Sequence, residues 1–154
     1  MKRLSASITA LIIIFAILVQ SCTRDNSPAP STDISQLQGQ YATNGLLDPS
    51  CVFISDDSKL PSLTITKQPN GTFRLVRTDY IPSKSTATLD GVSVSITADT
   101  TFVLRDGMPI GKLFMGTFPD FSSPKPRDIT APRLFITYSD QAAQEFLFYS
   151  GYRR

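Results

Sequence analysis

The sequence SLTITKQPNGTFRLVRT, residues 62–78, contains the clearest structural signal in the chain. Apolar residues alternate with serine, threonine or arginine on both sides of an Asn-Gly pair at 70–71; they are Leu63, Ile65, Phe73 and Leu75. Alternation with a period of two is typical of a strand with one buried face. Asn-Gly accepts the positive φ angles of a tight hairpin turn. The sequence therefore predicts a β-hairpin here.

The same pattern continues towards both ends of the chain, and no long run has the helical period of 3.6. We predict strands over residues 62–67, 72–78, 85–89, 92–97, 101–105, 110–118, 133–138 and 145–152, a first strand over 37–44 and a further one over 51–55. Asp90-Gly91 and Asp106-Gly107 are predicted as two further hairpin turns. Residues 140–145 are long enough for only a short helical turn.

A set of roughly eight to ten short antiparallel strands must protect its edges from pairing with other chains. We therefore predict an all-β domain over residues 33–154, an antiparallel meander that closes into a small barrel. A two-sheet β-sandwich is the alternative.

The start of the chain has a different character. Lys2 and Arg3 precede an apolar run over residues 8–19, which as a helix covers only about 18 Å of a hydrocarbon core about 30 Å thick. This length favours a secretory signal over a membrane span. The sequence LVQSC, residues 18–22, resembles the lipobox of bacterial lipoproteins. The resemblance implies that residues 1–21 are a signal peptide and that Cys22 carries the lipid.

Several acyl chains on Cys22 give lasting membrane attachment, because each buried CH2 adds about 0.8 kcal/mol. Residues 22–32 are polar and contain two prolines, so we expect a flexible tether. In many Gram-negative lipoproteins Asp after the cysteine implies retention in the inner membrane, whereas here Thr23 follows it. The resemblance thus implies a lipid-anchored protein of the cell envelope, in the outer membrane.

Composition excludes several classes of function. The 154 residues contain no His, so imidazole catalysis and the usual metal ligand are ruled out. Without Lys2 and Arg3 the chain has as many basic as acidic residues, which makes it a poor nucleic-acid binder. When Cys22 carries the lipid, Cys51 is the one remaining thiol. We predict that Cys51 is buried and packs as a small apolar residue. We predict a non-enzymatic protein without metal or cofactor.

Gly39-Gln40-Tyr41, at the start of the first predicted strand, resembles the Gly-x-Trp opening of lipocalin-like barrels, with Tyr in place of Trp. In that family the aromatic residue closes the barrel floor and stacks on a basic residue from the last strand. The resemblance implies that Tyr41 forms a cation–π contact with Arg153 or Arg154, and we assign the floor pair to Tyr41 and Arg153.

Two functions follow as expectations. The first is a barrel that binds an apolar or amphipathic ligand, for which the predicted contact residues are Phe73, Leu75, Phe102, Leu104, Tyr138, Phe146 and Phe148. The second is an accessory or structural subunit that binds another envelope protein through its β-surface and a proline-rich loop. That loop covers residues 119–132, and Phe121, Lys125 and Arg127 are its predicted contact residues. Tyr149 is predicted to lie on a contact surface.

Overall fold

The computed structural model describes residues 34–97, 100–120, 125 and 127–154. The predicted signal peptide, lipidated Cys22 and tether lie outside these residues. The described chain forms eight strands, β1 (Gly39–Ala42), β2 (Ser62–Lys67), β3 (Phe73–Asp79), β4 (Ser85–Thr97), β5 (Thr100–Arg105), β6 (Met108–Asp120), β7 (Arg127–Asp140) and β8 (Glu145–Arg153). Short 3-10 helices cover Ile34–Leu37, Pro49–Cys51 and Asp57–Lys59.

Each strand is antiparallel to the next, and β8 pairs with β1, so the sheet closes into a barrel in simple up-and-down order. The predicted all-β barrel is therefore confirmed with eight strands, and the sandwich alternative is not formed. Closure satisfies the backbone groups that an edge strand would leave open.

The interior of the barrel holds the apolar core. Successive side chains of a strand point to opposite faces, so alternate residues of every strand meet inside. The core consists of Leu37, Tyr41, Leu63, Ile65, Phe73, Leu75, Leu89, Val92, Val103, Ile110, Leu113, Leu134, Ile136, Leu147 and Tyr149, with Val94 and Tyr138 packed against it.

The predicted hairpin at Asp90-Gly91 is wrong, because both residues lie inside the continuous strand β4. They face the single residue Arg74 of β3, where the pairing register shifts by one. The pair therefore forms a β-bulge, and Gly91 supplies the positive φ of 70° that the bulge needs. A dipeptide that favours positive φ thus marks a bulge as readily as a turn.

Another predicted element is wrong. The segment 51–55 is not a strand, since Cys51 ends a 3-10 helix that Asp48 caps by accepting from the amide of Ser50. Residues 141–144 form a turn, with Gln144 at a φ of 56°, which agrees with the expectation of no more than a short turn there.

The predicted loop over residues 119–132 is also wrong for most of its length. Pro119 and Asp120 end β6, and residues from Arg127 onward belong to β7, with Asp120 directly opposite Arg127. The β6 residues beyond Phe114 pair with β7 alone, so the two strands continue past their other neighbours as a two-stranded ribbon. Pro119 and Pro132 lie on this ribbon, where a missing amide donor is tolerated.

The up-and-down order gives the barrel two distinct ends. One end, which we call the distal end, carries the connections 43–61, 80–84, 106–107 and 141–144. We call the other the proximal end; there β2 joins β3 and the described chain begins at Ile34.

Candidate functional site

The predicted ligand-contact residues separate into an inner and an outer group. Phe73 and Leu75 lie in the core and are fully buried, and Tyr138 packs against it. Their contacts are with the other core side chains, so they contribute first to the stability of the barrel.

Phe102, Leu104, Phe146 and Phe148 lie on the outer wall. In β5 the inward residue is Val103, which pairs with Val94 and Gly111, and in β8 the inward residues are Leu147 and Tyr149. Phe148 instead meets Phe135 edge to face on the wall, with ring centroids 6.0 Å apart. The prediction that Tyr149 lies on a contact surface is wrong, because its side chain is fully buried.

The floor residues lie at the proximal end. Tyr41 and Arg153 are directly opposite each other in the β1–β8 pair. The Tyr41 hydroxyl donates to the carbonyl of Leu37 at 2.9 Å, and the Arg153 guanidinium donates to the carbonyl of Gln36 at 3.1 Å. Both bonds hold the 3-10 helix Ile34–Leu37 across this end, and no cation–π contact joins the two residues in the described structure. Burial raises the pKa of Tyr41 to about 12, although the nearby Arg153 opposes the shift.

At the distal end, charged side chains lie between the core and the solvent. Arg77 donates to Asp79, with the closest atoms 2.7 Å apart, and also to the carbonyl of Phe148. The Arg105 guanidinium lies 3.7 Å from the Glu145 carboxylate and 3.5 Å from that of Asp106. These contacts close the mouth of the barrel.

The 43–61 connection covers the same mouth. The Thr43 hydroxyl donates to the carbonyl of Ser150, and Asp48 and Cys51 are buried. Burial raises the pKa of the Cys51 thiol, and the nearby Asp48 carboxylate raises it further. The thiol therefore stays protonated, as expected for an unreactive buried cysteine.

Large apolar side chains are nevertheless exposed around this end. Phe53 is 95% exposed, Met108 66% and Phe146 64%. We call the apolar rim the set Leu46, Val52, Phe53, Ile81, Met108 and Phe146, which lie in or beside the four distal connections. Isolated exposed apolar residues are ordinary, but a group of six at one end of a small barrel is typical of an interaction surface.

Charge is divided between the two ends. At the distal end acidic residues outnumber basic ones, namely Asp48, Asp56, Asp57, Asp79, Asp106, Asp140 and Glu145 against Lys59, Arg77, Lys84 and Arg105. Among the remaining described residues, basic ones dominate, namely Lys67, Arg74, Lys112, Lys125, Arg127, Arg133, Arg153 and Arg154 against Asp90, Asp120 and Asp128. The near-neutral total conceals this separation.

A groove of about 360 Å³ lies between β1–β3 and the segment 57–61. Hydroxyl, amide and charged groups dominate its lining, which includes Gln40, Asp57, Ser58, Thr64, Tyr80 and Arg154. Such a surface offers few contacts to the apolar ligand that the sequence suggested.

The remaining predicted site residues are dispersed. Lys125 and Arg127 are exposed at the tip of the β6–β7 ribbon, and Phe121 lies outside the described residues. Within the part of the chain that the structure covers, no group of acidic or cysteine side chains has the arrangement of a metal site. No helix among the described residues is long and apolar enough to cross a membrane.

Sequence reasoning missed the apolar rim and the separation of charge. Leu46 and Ile81 lie between predicted strands, and Met108 follows the predicted turn at 106–107. An apolar residue at such a position contradicts the usual polar composition of connections. An apolar residue at such a position was therefore the sequence signal that could have indicated the apolar rim. Comparisons of this chain with protein-family models, with curated proteins and with solved structures find no match.

Proposed function

We propose that the chain is a non-enzymatic lipoprotein of the bacterial cell envelope, anchored in the outer membrane, and that its barrel docks on another envelope protein through the apolar rim. The observation that carries this proposal is that six of the eight large apolar side chains exposed among the described residues lie in or beside the four distal connections. The barrel serves as an accessory subunit, as in the second of the two functions expected from the sequence, but it docks through the apolar rim and not through the β-surface and the segment 119–132.

The packing of the interior weighs against an internal apolar ligand. Fifteen buried side chains from the barrel strands and the 3-10 helix Ile34–Leu37 form one core. The Arg77–Asp79 and Arg105–Glu145 pairs and the 43–61 connection then cover the distal mouth. A ligand would have to displace these contacts, whereas a partner on the rim displaces only water.

The charges around the rim support a particular kind of partner. Asp56, Asp57 and Asp106 are exposed beside the rim, and the hydrogen bonds from Ser58 lower the pKa of Asp56. A complementary surface is apolar at its centre and basic at its border. The partner we propose is therefore a protein with that surface.

The absence of enzymatic activity is supported by the chemistry of the side chains. The chain has no His, and Cys51 is buried with a raised pKa. Asp79 and Glu145 are each paired with an arginine at the end of a strand, which accounts for them as structural groups.

The anchor is tested by mass spectrometry of the protein purified from its own membranes. We expect a chain that begins at Cys22 and carries acyl groups. Cys22→Ser should keep the leader and lose the acyl groups, and the matched control Cys51→Ser should be processed and acylated normally. A leader still attached to the protein with Cys22 intact would overturn the anchor.

The docking surface is tested by placing a photo-crosslinking residue at Phe53 or Met108 of the full chain in its own cells. We expect one adduct of the same mass from both positions. The matched control is Asn70, an exposed turn residue at the proximal end, which should give none. An uncrosslinked monomer from both rim positions would contradict the proposal.

A further inference from the structure

Basic residues outnumber acidic ones among the described residues towards the proximal end of the barrel. The ends of β2, β3 and β8 on this side carry Lys67, Arg74, Arg153 and Arg154. Further along the outer wall lie Lys112 in β6 and Arg133 in β7. Asp90, within the middle of β4, is matched to Arg74 through two hydrogen bonds of 2.6 and 3.1 Å. That carboxylate therefore neutralises the Arg74 guanidinium. Two further acidic residues, Asp120 and Asp128, lie on the β6–β7 ribbon.

The aromatic residues near this end hold two of the cations on the surface. The Lys112 ammonium lies 5.1 Å from the centre of the Phe114 ring, and the Arg133 guanidinium lies 5.6 Å from the same ring and 5.8 Å from that of Phe118. Phe118 in turn packs on Tyr152 at 4.9 Å. Cations held over aromatic faces remain available to an anion on their solvent side.

The described chain also begins at this end, where Ile34–Leu37 lies across the barrel floor. Under the proposed function, the lipid on Cys22 joins the barrel through Ile34. The residues between them span at most about 40 Å when fully extended. The tether therefore keeps the proximal end within about 40 Å of the lipid headgroups.

We infer that the proximal end is a membrane-docking face that binds anionic lipid headgroups, so that the barrel stands on the bilayer with its apolar rim pointing away. This inference rests on the lipid anchor of the proposed function. Anionic lipids attract basic residues near the surface, each of which strengthens the contact about fivefold. The acidic distal end is repelled by the same surface, so both ends favour one orientation.

This orientation has a consequence for the rim. Apolar loops beside a bilayer could insert into the lipid, but the acidic residues around this rim oppose its approach to an anionic surface. The rim is thus held at the far side, where another envelope protein can reach it.

The experiment uses the full acylated protein in vesicles of phosphatidylcholine with phosphatidylglycerol, which contain a lipid with a paramagnetic headgroup. In NMR spectra of this sample, an amide signal broadens when the amide lies close to the paramagnetic headgroups. We expect broadening of the Gly71 amide at the proximal end and a sharp Ala142 amide at the distal end. Vesicles of phosphatidylcholine alone, or raised salt, should remove the difference.

Two variants with the same change in charge provide the control. Lys67→Glu with Arg154→Glu should reduce docking by about 25-fold or more and abolish the difference between Gly71 and Ala142. Lys59→Glu with Lys84→Glu, at the distal end, should leave docking and the difference between Gly71 and Ala142 unchanged. All four residues are exposed, so the fold is retained in both variants.

Broadening of Ala142 equal to or above that of Gly71 would overturn the inference, as would a difference that ignores the anionic lipid. The mass of the protein is measured first. A chain without acyl groups would contradict the anchor of the proposed function. The difference in broadening between Gly71 and Ala142, measured on that chain with anionic vesicles, would still show which end faces the lipid.

Discussion

Two buried tyrosines of the core differ in a single hydrogen bond. The Tyr41 hydroxyl donates to the Leu37 carbonyl, whereas the buried Tyr149 hydroxyl has no hydrogen-bond partner in the described structure. Tyr41→Phe should lower the free energy of unfolding by about 1 to 3 kcal/mol, since it leaves a buried carbonyl unpaired. Tyr149→Phe is the matched control and should be neutral or stabilising. Urea denaturation of both variants measures the effect, and equal losses would contradict the assignment.

The same two phenols predict how stability depends on pH. Burial raises the pKa of both, that of Tyr41 from 10.0 to about 12. The unfolded chain therefore loses these protons at a lower pH than the folded one, and stability falls as the pH rises. The contribution of Tyr41 is complete below about pH 10 and is lost between about pH 10 and 12. Denaturation midpoints across this range measure the effect, and a Tyr41→Phe variant should show a smaller decline.

Inner and outer phenylalanines should differ sharply in their effect on stability. Phe73 is fully buried, so Phe73→Ala should cost about 3 to 5 kcal/mol through the lost burial and the cavity it creates. Phe146 is mostly exposed on the outer wall, and Phe146→Ala should change stability by no more than about 0.5 kcal/mol. The two are compared by thermal and urea unfolding, and a similar cost at both sites would contradict the inward and outward assignments.

Among the elements, β4 shows how one glycine sets the course of a strand. Gly91 has a φ of 70°, and an added Cβ would lie 2.5 Å from the Arg105 guanidinium, which donates to the Asp90 carbonyl. Gly107 has a similar φ of 77° with no atom near its Cβ position. Both alanine variants incur the left-handed penalty of about 1 to 2 kcal/mol. Gly91→Ala should cost more, because it also displaces Arg105, and denaturation curves that coincide would contradict this.

Closure of the barrel depends on a close approach between β8 and β1. A Cβ on Gly151 would collide with the carbonyl of Ala42 and with the Tyr149 ring. The β1–β8 pair is short, with Tyr41 opposite Arg153 and Ala42 opposite Tyr152. The small residue at this junction therefore permits the final pairing that removes the edges of the sheet.

For the molecule as a whole, the rim should be separable from the fold. Phe53→Ser combined with Phe146→Ser removes two exposed apolar side chains, so the free energy of unfolding should change by no more than about 1 kcal/mol. The crosslink from Met108 to the partner should be lost. Crosslinking yield and urea denaturation are measured on the same variant, and an undiminished crosslink would show that the partner binds elsewhere.

The sequence determined the class of the fold because period-two alternation and Gly-containing pairs act locally. Residues 62–67 form β2 as predicted, and Asn70-Gly71 joins β2 to β3. Edge protection then favoured a closed barrel. The sequence also excluded imidazole chemistry, since a missing residue type needs no structure to be recognised.

Tertiary structure decided which residues point inward. In FVL, residues 102–104 of β5, and in FLFY, residues 146–149 of β8, neighbouring positions are all apolar, so the pattern does not specify which of them point inward. Only the register with the adjacent strands places Val103, Leu147 and Tyr149 inside. The bulge in β4, the apolar rim and the separation of charge likewise arise from pairing between distant segments, because the position of a residue along the chain does not specify which end of a closed sheet it reaches.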